Sequence, residues 1–445
     1  MRPNTTDSPL FTHEGAIAAR ISPEQRLRRS VMACMLWEDT FYEEGESIAR
    51  RITQHAGKVA PMMVAQIASE ARNQMKLRHA PLWIARAMAL IPEHKTLVAD
   101  VLAEVIQRPD ELAEFLAMYW SEGKQPLAAQ VKKGLARAFT KFDEYQLAKY
   151  NRNNGIKLRD VLFMCHARPA NEAQADLWKR LAENQLATPD TWEVALSVKD
   201  GISPKEKWER LLAEKRLGAL ALIRNLRNMR QAQVDSQLIV EALHDMNVNR
   251  VLPFRFIAAA RHAPEWSRAL EMAMVRALKN QQTLSGKTVL LVDVSGSMES
   301  RLSGRSEMSC LDAACGLAIL LREIGESVRI FTFTEDVVEV PAEIHGFKLG
   351  TAIDQSQDHG CTMLGHAVQT MNQIPYDRLI VITDEQSHDR VPAPKGRGYM
   401  INVAPYQNGV GYGEWLHIDG WSEAVVSYLQ RVEEDLPLFG HDRDE

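Results

Sequence analysis

The 445-residue sequence predicts a chain of two architectures, a long all-helical section followed by an α/β section. From about residue 22 to residue 282, apolar residues recur at intervals of three and four, as in Ala219, Leu222 and Leu226, which is the period of an amphipathic helix. From Thr288 onward, short β-branched runs alternate with helical patterns, which is typical of a doubly wound sheet. We therefore expect domains at residues 15–282 and 286–435, divided by a short polar stretch.

The helical section is predicted to contain about fifteen short helices of roughly 10–17 residues each. Prolines punctuate these segments, among them Pro61, Pro109, Pro204 and Pro253. Proline is tolerated in the first turn of a helix but breaks its interior, so these residues mark helix ends. So many short helices cannot form one four-helix bundle, and stacked helix pairs of about forty residues, as in an α-solenoid, are the expected arrangement.

The α/β section opens with TVLLVDV at residues 288–294, a continuous apolar run that is typical of a strand buried on both faces. Further strands are expected at residues 328–334, 378–383 and 399–403. Helices are expected at residues 309–325, 364–373 and 422–433. This alternation predicts a mostly parallel, Rossmann-like sheet.

Five oxygen-bearing side chains follow the predicted strands. Asp293, Ser295 and Ser297 end the first strand, Asp384 ends a later one, and Thr362 lies in a loop before a helix. Because ligands bind at the carboxyl ends of strands in open α/β sheets, we expect these residues to converge on one edge. Two carboxylates and three hydroxyls are hard donors that suit octahedral Mg²⁺. The alternative is a vestigial site that only ties the loops together.

Three enzyme motifs are incomplete in this section, so we expect no catalytic function. Gly286-Lys287-Thr288 ends like a phosphate-binding loop, but Gln281 stands where that motif needs glycine, and the segment precedes its strand. An aspartyl-phosphate mechanism at Asp293 requires a second Asp two residues later, where this chain has Ser295. Ser297 lacks the G-x-S-x-G elbow of a serine nucleophile.

Charge is divided unevenly along the chain. Residues 1–280 carry 41 Lys and Arg against 33 Asp and Glu, a net of +8, whereas residues 281–445 carry 12 against 25, a net of −13. The basic section suits a polyanionic partner, although mixed surface charge can equally serve solubility. From Lys215 to the residue before Asp235 there are five basic and no acidic side chains. Three of the five, Arg224, Arg227 and Arg230, lie opposite an apolar stripe on a face that is either solvated or meets an anion.

Composition excludes several other classes. The sequence has no run of 18 apolar residues, so we expect no membrane-spanning helix, and its polar opening lacks the apolar core of a secretory signal. The five cysteines are scattered, with no C-x₂-C pair. They are expected to be reduced thiols of a cytoplasmic protein rather than a disulfide framework or a zinc site.

Several polar stretches, in this order, resemble the Ro family. They are residues 27–42, a Lys-Tyr…Asn-Gly…His…Pro block at residues 149–169, an Arg-Asn-Leu segment at residues 224–226 and Asp-Val-Ser-Gly-Ser-Met at residues 293–298. The resemblance implies a TROVE module, a ring of HEAT-like helical repeats, followed by a von Willebrand factor A domain. The five oxygen donors would then be the ligands of its metal-ion-dependent adhesion site. Cys361 departs from the usual Gly-Gly-Thr of that site.

The resemblance also implies RNA contacts at Lys149, His166 and Arg224, and the charge pattern and stacking chemistry of the sequence extend this set. The predicted set is Lys149, Tyr150, Arg152, His166, Arg224, Arg227 and Arg230. Tyr150 offers a ring on which unpaired bases can stack, although Tyr150 and His166 could equally pack between helices. The arginine of the family falls one position after Arg152, where this chain has Asn153.

As a Ro-like protein, the chain would bind Y-like noncoding RNA and single-stranded 3′ ends of misfolded RNA. It would act as a monomeric, non-catalytic scaffold, with a 3′-exoribonuclease such as polynucleotide phosphorylase as a candidate partner. The alternative function is an A-domain adaptor that partners an AAA+ ATPase through its metal site and does not bind RNA. The basic first section favours RNA.

Overall fold

The computed structural model describes residues 22–32, 45–73, 77–151, 155–187, 191–197, 201–248, 251, 253–278, 283–302, 308–404, 409–410, 413–419, 429 and 433. The predicted fold class is confirmed: helices fill the described chain up to Leu278, and a six-stranded sheet with intervening helices follows. The helix predicted at residues 422–433 lies outside the described residues apart from Leu429 and Glu433.

Sixteen α-helices precede the first strand in the described part of the chain. They are α1 (Pro23–Met32), α2 (Gly45–Ala56), α3 (Pro61–Asn73), α4 (His79–Leu90), α5 (Val98–Val105), α6 (Pro109–Tyr119), α7 (Ala129–Phe139), α8 (Glu144–Tyr150), α9 (Leu158–Cys165), α10 (Glu172–Ala182), α11 (Trp192–Ser197), α12 (Pro204–Ala213), α13 (Ala219–Gln231), α14 (Ser236–Asp245), α15 (Pro253–His262) and α16 (Ser267–Leu278). Pro61, Pro109, Pro204 and Pro253 each open a helix, as predicted. None of the described helices is long and apolar enough to cross a membrane.

The described residues form two compact units. Residues 22–32 and 45–197 make up one unit, and the residues from 201 onward make up the other. The first unit has its own core, in which Leu82, Phe115 and Phe139 are fully buried. The predicted limits at 282 and 286 follow the change from helices to strands, whereas the compact units divide near residue 200.

The second unit contains helices α12–α16 together with the sheet because α15 and α16 pack against helices of the α/β section. Those helices are α17 (Cys310–Ile324) and α18 (Gly346–Asp354). Arg261 of α15 forms an ion pair with Asp312 of α17. Glu271 of α16 accepts a hydrogen bond from the backbone N–H of Phe347 (2.7 Å) at the first turn of α18. These polar contacts join the last helices of the first section to the α/β section.

The sheet has the strand order β3-β2-β1-β4-β5-β6. Its strands are β1 (Leu284–Asp293), β2 (Gly325–Phe333), β3 (Val337–Val340), β4 (Arg378–Thr383), β5 (Arg397–Asn402) and β6 (Trp415–Asp419). All neighbours are parallel except β2 and β3, which are antiparallel. Helix α19 (Leu364–Met371) precedes β4. Because β1 lies between β2 and β4, its carboxyl end adjoins the ends of both neighbours.

Candidate functional site

Asp293 and Asp384 lie at the carboxyl ends of the adjacent strands β1 and β4, and both side chains are fully buried. Asp293 Oδ1 accepts a hydrogen bond from the backbone N–H of Ser295 (2.9 Å), and its Oδ2 accepts one from Thr383 Oγ1 (2.6 Å). Asp384 Oδ1 accepts from the backbone N–H of Gln386 (3.0 Å), whereas the buried Oδ2 has no hydrogen-bond partner among the described residues. Among the described residues, this edge thus presents one buried carboxylate oxygen without a hydrogen-bond partner.

The predicted hydroxyls belong to the loops around this pair. Ser295 and Ser297 lie within 3.3 Å of each other, measured between their Oγ atoms, in the loop after β1. Thr362 is buried, and its carbonyl accepts a hydrogen bond from the backbone N–H of His388 (3.0 Å), which follows β4. The backbone N–H of Gly296 donates to the carbonyl of Gly360 (3.3 Å). These bonds hold the β1 loop, the Thr362 loop and the β4 loop together, and we call Asp293, Ser295, Ser297, Thr362 and Asp384 the carboxylate site.

The two buried carboxylates of the carboxylate site have no compensating positive charge among the described residues. Burial raises the pKa of Asp293, and burial together with the charge of Asp293 raises the pKa of Asp384. Within the described residues, neither carboxylate forms an ion pair with Lys, Arg or His. A divalent cation would neutralise both charges and take the unsatisfied Oδ2 of Asp384 as a ligand, and hard oxygen donors suit Mg²⁺. The donor set therefore fits the predicted metal ion.

Two contacts next to the carboxylates of this site were not predicted from the sequence. Thr383 donates to Asp293 and accepts from the backbone N–H of Glu385 (3.0 Å), so it fixes the orientation of the carboxylate. Glu385 has φ +61° and is fully buried, with its Oε1 2.7 Å from Nδ1 of His417 on β6. The Thr-Asp-Glu sequence hints at a polar strand end, but its partner on β6 lies 32 residues further along the chain.

The predicted basic face of α13 has the expected orientation. Arg224, Arg227 and Arg230 are all exposed, while Leu222 and Leu226 on the same helix are buried. We call these three arginines the α13 face. Within the described residues, Arg224 and Arg227 form no ion pair, whereas Arg230 lies 3.5 Å from Glu265. Arg230 thus has an acidic neighbour outside helix α13, whereas Arg224 and Arg227 place two positive charges at the surface.

Helix α8 places a second basic and aromatic group at the surface. Lys149 Nζ lies 5.9 Å from the ring centre of Tyr145 and 6.0 Å from that of Tyr150. Arg108, at the start of α6, stacks its guanidinium over Tyr150 at 4.6 Å. We call Arg108, Tyr145, Lys149 and Tyr150 the α8 surface. Tyr150 is mostly buried, whereas half of the Tyr145 surface is exposed. The ring of Tyr150 is therefore held in place by its neighbours, and the ring of Tyr145 remains accessible.

The remaining predicted RNA-binding residues are His166 and Arg152. His166 follows α9 with φ +52°, in the left-handed conformation that ends a helix, and its side chain is exposed rather than packed between helices. Arg152 lies outside the described residues. Arg108 and Tyr145 were not predicted from the sequence. The contact of Arg108 with Tyr150 spans 42 positions, so no local pattern indicates it. Tyr145 lies one helical turn before Lys149, and that spacing could have indicated their contact.

A family model and a solved structure each match more than half of the chain. The family model of the TROVE domain matches residues 30–184 and 179–303, which together make up more than half of the chain. The chain also has the fold of the crystal structure of the Deinococcus radiodurans RO (RSR) protein, with a TM-score of 0.63 over 91% of this chain and 98% of that one, at 18% identity.

Two curated relatives match shorter parts of the chain. The RNA-binding protein RO60 of Caenorhabditis elegans is 32% identical over 27% of this chain and 19% of its own length. The telomerase protein component 1 of Rattus norvegicus is 22% identical over 45% of this chain and 11% of its own length. The chain therefore spans only a small part of the length of the curated relatives it matches.

Proposed function

The chain belongs to the TROVE domain family of Ro-like proteins, and on that premise we propose that it is an RNA-binding protein. The observation that carries this proposal is the α13 face. Arg224 and Arg227 are exposed without an ion pair in the described structure, on a helix that has no acidic residue. Arginines on such a face neutralise phosphates whatever the base sequence, and the resulting affinity falls steeply with salt.

The α8 surface adds a means of binding unpaired bases, which phosphate neutralisation alone does not provide. An exposed tyrosine ring beside an ammonium group provides a stacking surface for an unpaired base next to a charge for its phosphate. Unpaired bases occur in loops, bulges and 3′ ends. We therefore propose that the ligands are Y-like noncoding RNAs and the single-stranded 3′ ends of misfolded RNAs, with Lys149 and His166 contacting the former.

We propose that the carboxylate site serves a protein contact rather than the RNA. Residues 281–445 carry a net charge of −13, which repels a polyanion. Mg²⁺ would be held by Asp293 and Asp384 with the hydroxyls of Ser295, Ser297 and Thr362, and it would offer a coordination position to a carboxylate of a partner. A 3′-exoribonuclease such as polynucleotide phosphorylase is the proposed partner class, and the chain would act as a scaffold in RNA quality control or processing.

A binding experiment with two RNAs tests this function. A short duplex with a single-stranded 3′ overhang and the matching blunt duplex are titrated with protein at low salt, and fluorescence anisotropy reports the Kd. The overhang is expected to bind several-fold more tightly, because only the overhang offers unpaired bases. If neither RNA binds, the RNA-binding proposal is wrong and the AAA+ adaptor becomes the function to test.

A substitution at Asp293 tests the proposal that the carboxylate site does not take part in RNA binding. Asp293→Ala removes a metal ligand, and the variant is expected to bind the overhang RNA with the wild-type Kd while it remains folded by circular dichroism. Loss of RNA binding in the folded variant would show that the carboxylate site takes part in RNA binding after all.

A further inference from the structure

Helix α9 has an exposed aromatic side chain on its outer face. The inward stripe of this amphipathic helix is buried and consists of Leu158, Val161, Leu162 and Cys165. Phe163 lies on the opposite face, where a polar side chain is expected, and 62% of its surface is exposed. No other aromatic side chain in the described part of the chain is as exposed. Single exposed apolar residues are common on proteins, so the neighbours of this ring decide whether it has a ligand.

The neighbours of Phe163 on the helix surface are basic. Arg159 and His166 lie four residues before and three residues after it, which places both beside the ring on the outer face. The Arg159 side chain is 43% exposed, and His166 is exposed as well. We call Arg159, Phe163 and His166 the α9 face.

The acidic residue next to the α9 face has a structural role. Asp160 Oδ2 accepts a hydrogen bond from the backbone N–H of Lys157 (3.1 Å), which caps the start of α9. Its Oδ1 lies 3.8 Å from Nε of Arg159, which is longer than a hydrogen bond. The guanidinium of Arg159 therefore keeps its N–H donors for a ligand.

The charge around the α9 face is positive. Residues 155–170 contain three Lys or Arg and one acidic residue. Arg168, just after α9, is exposed and forms no ion pair within the described residues. The same holds in this part of the structure for Lys133 of α7, the helix that packs against α9. An exposed ring among unpaired cations matches the chemistry of RNA, in which each base is attached to a sugar-phosphate backbone.

We propose that the α9 face binds an unpaired RNA base, which stacks on Phe163 while Arg159 and His166 contact the adjoining phosphates. The proposal rests on the RNA-binding function proposed above and adds a base-stacking site to it. Arg108 covers one face of the Tyr150 ring, whereas no aromatic or charged group among the described residues stacks on Phe163. The base must be unpaired, because the neighbouring base pairs of a duplex cover both of its faces.

The test compares two single-stranded oligonucleotides of one length and charge, an oligoadenylate and an abasic sugar-phosphate chain. Fluorescence anisotropy at low salt gives the Kd of each. Phe163→Ala is expected to raise the Kd for oligoadenylate about tenfold, the loss of one stacked base, and to leave the Kd for the abasic chain unchanged. The slope of log K against log salt concentration should stay at its wild-type value, because phenylalanine carries no charge.

Matched variants separate stacking from other roles of the side chain. Phe163→Trp keeps an aromatic ring and should bind oligoadenylate at least as tightly as wild type, whereas the apolar but non-aromatic Phe163→Leu should lose affinity as Phe163→Ala does. Met62→Ala, which removes a side chain that is 68% exposed on α3, is the control and should change neither Kd. Arg159→Ala should lower the magnitude of the salt slope by about 0.7 for both oligonucleotides, the contribution of one phosphate contact.

Three results would overturn the stacking site. The first is a wild-type Kd for oligoadenylate in Phe163→Ala, and the second is a wild-type Kd in Phe163→Leu. The third is an equal loss of affinity for oligoadenylate and the abasic chain in Phe163→Ala, since an abasic chain has nothing to stack. If the wild-type protein binds neither oligonucleotide, the RNA-binding function itself is wrong.

Discussion

Replacing Asp293 by asparagine tests whether the two buried carboxylates hold a divalent cation. The side chain accepts from Ser295 N–H and from Thr383 Oγ1. Asparagine can keep the first bond through its oxygen and can donate its amide hydrogen to the hydroxyl of Thr383. The Thr383 hydroxyl then loses its own acceptor, but the substitution also removes one of two buried charges that repel each other. Because these effects oppose each other, we expect the free energy of unfolding without metal to change by no more than about 1 kcal/mol.

The effect of metal is expected to be larger. A ligand present at 100 times its Kd stabilises the folded state by about 2.7 kcal/mol. For a unit of this size that gain corresponds to a rise in Tm on the order of 5–10 °C. Removing one of the two charges should abolish most of the rise, because Asp293 and Asp384 supply the whole negative charge of the carboxylate site.

Differential scanning calorimetry with and without saturating Mg²⁺ measures both effects. Asp336→Asn, which alters an exposed carboxylate in the same section, is the matched control and should show the full Mg²⁺-dependent rise. If wild-type protein gains nothing from Mg²⁺ or from Mn²⁺, or if Asp293→Asn gains as much as wild type, the carboxylate site does not hold a cation.

Three further predictions concern the scaffold. Gly134→Ala would place a Cβ atom 2.7 Å from Leu102 Cβ where α7 packs on α5, so urea denaturation should show a loss of about 1–3 kcal/mol; an unchanged midpoint would contradict this packing. Glu271→Ala removes the acceptor for the Phe347 N–H at the start of α18 and should cost about 1 kcal/mol in the same assay, whereas no loss would mean that this cap is not formed in solution. Burial, with the nearby charges of basic side chains, lowers the pKa of His55 to about 4, so the unfolded chain takes up a proton there first as pH falls. The stabilising contribution of neutral His55 is therefore complete above pH 6.5 and declines towards pH 4, and His55→Gln should flatten the pH dependence of unfolding free energy in that window; an identical slope in both proteins would contradict it.

Some elements were predictable because their signals are local. Strand β4 was predicted with its observed limits, Arg378–Thr383, since a fully buried strand is a continuous apolar run. The face of Arg224, Arg227 and Arg230 was predictable from helical period alone. The convergence of Asp293 and Asp384 followed from the rule that parallel strands end at one edge of the sheet.

Other elements had no such signal. Strand β3 has only four residues, and helix α18 is amphipathic over only nine residues, so neither stands out from its neighbours in the sequence. Strand β6 is paired on one side only among the described strands and has only five residues. The contact of Arg108 with Tyr150 and that of Glu385 with His417 depend on tertiary packing, which no local pattern reports.

The grouping of helices α12–α16 with the sheet was also not predictable. Periodicity changes near residue 283, where helices give way to strands, and a boundary drawn from sequence follows that change. The packing instead depends on side chains such as Arg261 and Glu271, which find their partners in α17 and α18. A charged residue on a helix surface gives no indication of which distant element it will meet.

The salt dependence of RNA binding tests the central claim most directly. The slope of log K against log salt concentration is measured for a single-stranded RNA with wild-type protein, Arg224→Ala, Arg227→Ala and, as a control, Arg329→Ala, whose side chain is paired with Glu339 (2.7 Å) in the acidic section. Each α13 substitution is expected to weaken binding and to lower the magnitude of the slope by about 0.7, the contribution of one phosphate contact, while the control keeps the wild-type slope. Wild-type slopes in both α13 variants, or an equal loss in Arg329→Ala, would contradict the assignment of this face to RNA.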